Sequence, residues 1–228
     1  MEAKNKTYFG RRQGRSMNDS KKEFLAQNLA PFAIQLPADG TIDFAKLFAH
    51  APKKITFEIG YGYGEHLTRL AAAHPDEAFI GTEVFLDGNY SLLRELQNAS
   101  IKNVRIFPDD ANLLFPHLAP ASFDRIFILY PDPWPKNRNE ERRMVNARNL
   151  ALFHKFLKPD GTLFVASDHP VYIPWTLMSL KDNPGLFEWT AHKSADFKNP
   201  PAGWTPTRYE EKAIAAGRSP TYLELRKI

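Results

Sequence analysis

The chemistry of this chain concentrates after the apolar run Phe127-Ile128-Leu129-Tyr130, where Pro131-Asp132-Pro133-Trp134-Pro135-Lys136 follows. A carboxylate sits between two prolines, an indole comes next, and Lys136, Arg138, Arg142, Arg143 and Arg148 add positive charge. Proline fixes its own φ and restricts the residue before it, so the Asp132 carboxylate is held against loop motion. An aromatic plane, an acceptor for N–H groups and cations for a phosphate backbone are the parts needed to hold a flat purine. Guanine presents N1–H and N2–H donors, for which a carboxylate is the natural partner. The competing reading is a surface helix start with a buried Trp134 and a solvated basic face. Glu140 and Glu141 support it, because they can pair with Arg142, Arg143 or their neighbours. Asp168 and Glu210 are further candidate acceptors, each with a plainer reading as a cap or surface acid.

A second constellation surrounds Gly60, Gly62 and Gly64, spaced G-x-G-x-G after the β-rich run Ile55-Thr56-Phe57-Glu58-Ile59. Glycines in such a turn let a ligand approach the backbone. A dinucleotide fingerprint needs glycine where this chain has Glu65, and a P-loop needs Lys followed by Ser or Thr, so pyrophosphate and triphosphate fit poorly. Carboxylates stand at the ends of successive strands instead: Glu58 before the turn, Glu83 after the second strand and Asp110 after the third. A carboxylate after the second strand accepts from two ribose hydroxyls, and acids around the turn suit an ammonium and a sulfonium cation. S-adenosylmethionine combines ribose, adenine, α-amino group and positive sulfur. The alternative is that these acids only cap helices and strand ends.

The elements that must carry both constellations follow from periodicity. Ala78 to Val84, Val104 to Phe107, Asp124 to Tyr130 and Thr162 to Ala166 read as strands, with helices over Glu65 to Ala73, Gly88 to Ala99, Ala147 to Leu157 and Tyr172 to Leu180. Pro159-Asp160-Gly161 reads as a tight turn, and Phe187 to His192 with Tyr222 to Arg226 as a closing antiparallel pair. This alternation predicts an α/β fold, a mostly parallel sheet with helices on both faces. Ser20-Lys21-Lys22-Glu23 has the form of a capping box opening a short helix to about Leu29.

With 228 residues, the expected organisation is a basic arm, short helix and linker over 1–50 and one domain over 51–228. The arm from Met1 to Lys22 holds seven basic residues against two acidic, in a chain whose net charge is only +4. Such an arm either touches nucleic acid or stays a solvated tail. No run approaches the ~20 apolar residues of a membrane span, and the N-terminus lacks the apolar core of a signal peptide, so a cytoplasmic protein is expected. The absence of cysteine removes disulfides and thiolate zinc sites, and the seven histidines show no H-E-x-x-H pairing, so no metal is expected.

Glu58-Ile59-Gly60-Tyr61-Gly62-Tyr63-Gly64, Gly81-Thr82-Glu83-Val84, Tyr130-Pro131-Asp132-Pro133-Trp134-Pro135-Lys136, Ser167-Asp168 and Thr207-Arg208-Tyr209-Glu210 occur in an order that resembles the bacterial tRNA (guanine-N7)-methyltransferases. The Arg11-Arg12-Gln13-Gly14-Arg15 arm is similar to that family's N-terminus too. The resemblance implies a Rossmann-like class I methyltransferase with a seven-stranded, mostly parallel sheet and a C-terminal antiparallel strand pair. It implies S-adenosylmethionine as donor and a guanine in the tRNA variable loop as acceptor. Carried over by position, Glu58, Glu83, Asp110 and Asp132 match the family's cofactor contacts, with Gly60, Gly62 and Gly64 in the cofactor turn. Lys136, Asp168, Thr207, Arg208, Tyr209 and Glu210 match its substrate contacts, and Asp132 is the residue expected at the reacting atoms. Asn139-Glu140-Glu141 and His169-Pro170 depart from the family pattern, which tends to be more basic after the lysine. The other reading is a non-catalytic RNA-binding protein on the same fold. Oligomeric state, monomer or homodimer, is left open.

Overall fold

A computed structural model describes residues 12–13 and 17–228. The elements run α1 (Asp19–Asn28), β1 (Ile55–Ile59), α2 (Glu65–Ala73), β2 (Ala78–Thr82), α3 (Leu86–Asn98), β3 (Val104–Phe107) and α4 (Ala111–Leu114). They continue with β4 (Phe123–Leu129), α5 (Ala147–Phe156), β5 (Leu157–Ser167), α6 (Tyr172–Lys181), β6 (Phe187–Trp189), α7 (Ala195–Lys198), α8 (Arg208–Ala215) and β7 (Thr221–Lys227). The strand order in the seven-stranded sheet is β3-β2-β1-β4-β5-β7-β6. Among the described residues no helix is long and apolar enough to cross a membrane.

The chain divides into two compact units, one reaching to Lys53 and including Ile59–Leu118, the other Lys54–Glu58 with Ala119–Ile228. In the first, β2 and β3 pair in parallel, Phe79 opposite Val104 through Thr82 opposite Phe107. All five residues of β2 are buried. A strand covered on both faces must be apolar throughout, which is why Ala78-Phe79-Ile80-Gly81-Thr82 shows no alternation. Helix α3 buries Leu92, Leu93 and Leu96 completely against Leu67, Phe79 and Ile106. Each such side chain contributes about 1.5–3 kcal/mol relative to exposure.

In the second unit β4 and β5 pair in parallel from Arg125 opposite Thr162 to Leu129 opposite Ala166. Strand β7 pairs antiparallel with both β5 and β6, so the expected closing pair is present and β7 also completes the hydrogen bonding of β5. Phe57 of β1 stacks on Phe123 at 4.9 Å between ring centroids.

Two local expectations are corrected. The first helix is capped by Asn18, whose side chain accepts from Lys21 N, rather than by Ser20, which lies inside the first turn. Asn18 has the extended backbone that a cap requires, and both residues have side chains able to cap. Pro159-Asp160-Gly161 does not separate two elements; it is a bulge within β5, where the register against β4 jumps from Phe123–Leu157 to Arg125–Thr162. Asp160 takes a φ of +58°, and a Cβ on Gly161 would lie 2.9 Å from Lys158 O, so the extra residues fit only with this backbone.

Candidate active site

The first unit builds the glycine turn. Gly60, Gly62 and Gly64 have φ of +74°, +58° and +85°, a conformation that side chains with a Cβ rarely adopt. Gly60 N donates to Thr82 O at 2.8 Å, tying the turn to the end of β2. Gly62 N donates to one Glu83 oxygen at 2.8 Å and Phe85 N to the other at 2.9 Å. The carboxylate thus braces the turn and the entry to α3 through one backbone donor on each oxygen. Asp110 caps α4: its Oδ1 accepts from Asn112 N and Nδ2, both at 2.9 Å. Its Oδ2 is buried without a hydrogen-bond partner among the described residues. Next to it, Asp109 accepts both guanidinium nitrogens of Arg12 at 3.2–3.3 Å, and Arg12 O accepts from Leu86 N at 2.8 Å. The basic arm is therefore anchored at Arg12 beside the acids of this turn; Arg11, Gly14 and Arg15 lie outside the described residues.

The second unit builds the carboxyl ends of β1, β4 and β5. Glu58 is buried near the end of β1. After β4 the chain breaks upward at Tyr130, with φ +50° and its N–H donating to Ala166 O at 2.8 Å, and again at Trp134, with φ +41°. Asp132 between them is open to solvent, yet protein packed on its other side desolvates the carboxyl and raises its pKa. Trp134 is half-buried with the Arg142 guanidinium 5.2 Å from its ring centroid, so one face of the expected stacking plane carries a cation. Lys136, Arg138 and Arg148 face solvent, whereas Arg143 is 2% exposed.

Beyond β5, Asp168 accepts from Arg218 Nε, an ion-pair partner that residue spacing gave no reason to expect. Thr207 caps α8, its hydroxyl accepting from Glu210 N at 3.2 Å. Glu210 is 1% exposed and accepts from Trp204 Nε1 at 2.8 Å and from the Tyr222 hydroxyl. Burial first, then the Glu210 charge, pushes the Tyr130 phenol far up, and burial with the Glu210 hydrogen bond does the same for Tyr222. Of the four expected substrate contacts in the 207–210 run, Thr207 and Glu210 are buried and Arg208 and Tyr209 exposed.

A family model described as "Putative methyltransferase" matches residues 52–223. A Rhizobium etli protein named tRNA (guanine-N(7)-)-methyltransferase is 42% identical over 97% of this chain and 96% of its own. Proteins of the same name from Rhodospirillum rubrum, 39% identical over 96% and 87%, and Chelativorans sp., 37% over 100% and 97%, span the chain equally well. The chain belongs to the tRNA (guanine-N7)-methyltransferase family. Solved structures share the fold at low identity. An antibiotic-resistance methyltransferase has a TM-score of 0.53 at 18% identity, covering 85% of this chain and 98% of its own. A [4+2]-cyclase has 0.52 at 16%, covering 92% and 80%. The fold alone therefore does not select methyl transfer.

Within this tRNA (guanine-N7)-methyltransferase family member, the glycine turn offers what a nucleoside donor needs. Glu83 places a carboxylate against the turn, and Asp110 Oδ2 is a buried acceptor with no hydrogen-bond partner among the described residues. Sequence reasoning did not find Gly88, whose missing Cβ lets Gly62 O approach, nor the half-buried Trp204, and it read the buried Arg143 only as one of the phosphate cations. Nothing in their spacing distinguishes them. The Trp204 bond gives a direct expectation: Trp204→Phe leaves a Glu210 oxygen short of a donor and lowers the unfolding free energy by about 1–3 kcal/mol. Urea unfolding checks this, and a wild-type midpoint would show that the bond is not needed.

Proposed function

We propose that this chain transfers a methyl group from S-adenosylmethionine to N7 of a guanine in the variable loop of tRNA. The observation that carries the reading is near-full-length similarity to relatives that all bear one name. S-adenosylmethionine, when bound, supplies an electrophilic methyl on a sulfonium. Glu83 would take the ribose hydroxyls on its two oxygens, Asp110 Oδ2 an N–H donor, and Glu58 positive charge. The three glycines leave the backbone open for that approach.

Guanine N7 has a lone pair and no proton to lose, so the acceptor needs no general base. The protein then contributes proximity, orientation and electrostatics. Asp132, held by its prolines, meets the positive charge that forms on the base. Lys136, Arg208 and Tyr209 supply tRNA contacts from exposed positions, and Asp168 and Glu210 hold the elements around them.

The decisive test is unmodified tRNA incubated with labelled cofactor and the modified base mapped. 7-Methylguanosine in the variable loop is the expected product, and label at another base or none at all would refute the assignment. Phosphate contacts should give a salt slope of about −0.7 to −0.9 per contact. Deleting the first fifteen residues flattens that slope, since the arm's cations go with it. An unchanged slope would leave the arm a tail.

A further inference from the structure

Arg143 ends a run of cations that the sequence presents to a phosphate backbone, but its guanidinium is buried while Arg138 and Lys136 face solvent. Its Nε donates to Pro133 O at 3.1 Å and a terminal nitrogen donates to Trp134 O at 3.0 Å. The guanidinium lies 4.4 Å from the Trp175 ring centroid. That ring is itself fixed, because Trp175 Nε1 donates to Val145 O at 2.6 Å and Val145 N to the fully buried Tyr172 hydroxyl at 3.2 Å. The Arg143 backbone is held as well, by Glu140 O at 3.0 Å and by Asn146 Nδ2 at 2.9 Å.

A rigid, planar fork is thus aimed at the two carbonyls that directly follow Asp132. The segment it grips lacks N–H groups at Pro131, Pro133 and Pro135 and carries a left-handed Trp134, so few backbone bonds of its own hold it in shape. We propose that Arg143 is a positioning residue that fixes the Asp132 segment by its carbonyls, and not a contact to tRNA phosphate. This rests on the function proposed above for its catalytic consequence, though the clamp itself does not.

The test uses the full chain with Arg143→Lys, which keeps the charge but cannot bridge both carbonyls, and Arg138→Gln as a solvent-facing comparison. Single-turnover methylation at saturating tRNA and cofactor should fall about tenfold in Arg143→Lys, with tRNA affinity within about twofold and the salt slope unchanged. Arg138→Gln should instead lower tRNA affinity and the salt slope by about one phosphate contact. Should Arg143→Lys fold poorly, Trp175→Leu removes the plane under the guanidinium and is expected to lose rate in the same way. Amide exchange at Trp134 and Lys136, which needs no activity, should speed about tenfold in Arg143→Lys. Wild-type rate and exchange, or a slope reduced by one phosphate with the rate intact, would overturn the inference. A wild-type chain that leaves tRNA N7 unmethylated would instead refute the function, and the exchange measurement would still decide the clamp.

Discussion

An Asp132→Asn chain transfers methyl groups on the order of 10² more slowly at saturating tRNA and cofactor, with tRNA affinity within about twofold. The substitution keeps shape and hydrogen-bond reach but removes the negative charge that meets a base becoming cationic. An effect confined to the rate constant separates that role from simple binding, which would weaken affinity instead. Wild-type single-turnover rates in the variant would remove Asp132 from the chemistry. A pH signature accompanies it. Desolvation raises the Asp132 pKa, so the active carboxylate is lost on acidification at a higher pH than for an ordinary aspartate near 3.9. The acid limb of the rate profile should therefore lie above that value in the wild type and vanish in Asp132→Asn. Stability runs the other way: because the folded pKa is raised, this group's stabilisation is fully present below the unfolded pKa and is lost as pH rises through the folded one. Acidification thus costs activity at Asp132 while favouring the fold there, and a rate and a stability that both fall with this group's protonation would contradict the assignment.

Gly88→Ala is expected to be the most damaging single change at the donor turn. A Cβ at that position would lie 2.1 Å from Gly62 O, a backbone atom that cannot swing aside. Either α3 or the turn must move, and moving Gly62 draws its N–H away from Glu83. Overpacking of this kind costs about 1–3 kcal/mol. Cofactor affinity should fall at least tenfold, read by titration or by the loss of a cofactor-induced rise in melting temperature. A variant that binds cofactor as the wild type does would show that the turn tolerates a displaced α3 and is not a close-fitting site.

Much of this was legible in the residues themselves. Gly60, Gly62 and Gly64 all take positive φ, and a G-x-G-x-G run after a β-rich segment announces such a turn because the steric preference belongs to glycine itself. Apolar runs alternating with amphipathic ones located β1 and β2, since burial on two faces demands apolar residues throughout, whereas the start of β5 was read as a turn. Pro131-Asp132-Pro133 stood out because proline restricts its neighbours wherever it occurs. The roles that depend on distant partners were not legible. Arg143 and Arg138 are the same residue type five positions apart, yet one grips two carbonyls in the protein and the other faces water. Asp168 meets Arg218 fifty residues on, and Glu210 is enclosed by Trp204 and Tyr222 rather than exposed. Sequence alone determined where the backbone must turn and which acids end the strands, because those are local steric and hydropathic constraints. The tertiary structure decided which charges face solvent and which are spent holding the site, because desolvation and partner distance exist only once the chain has packed.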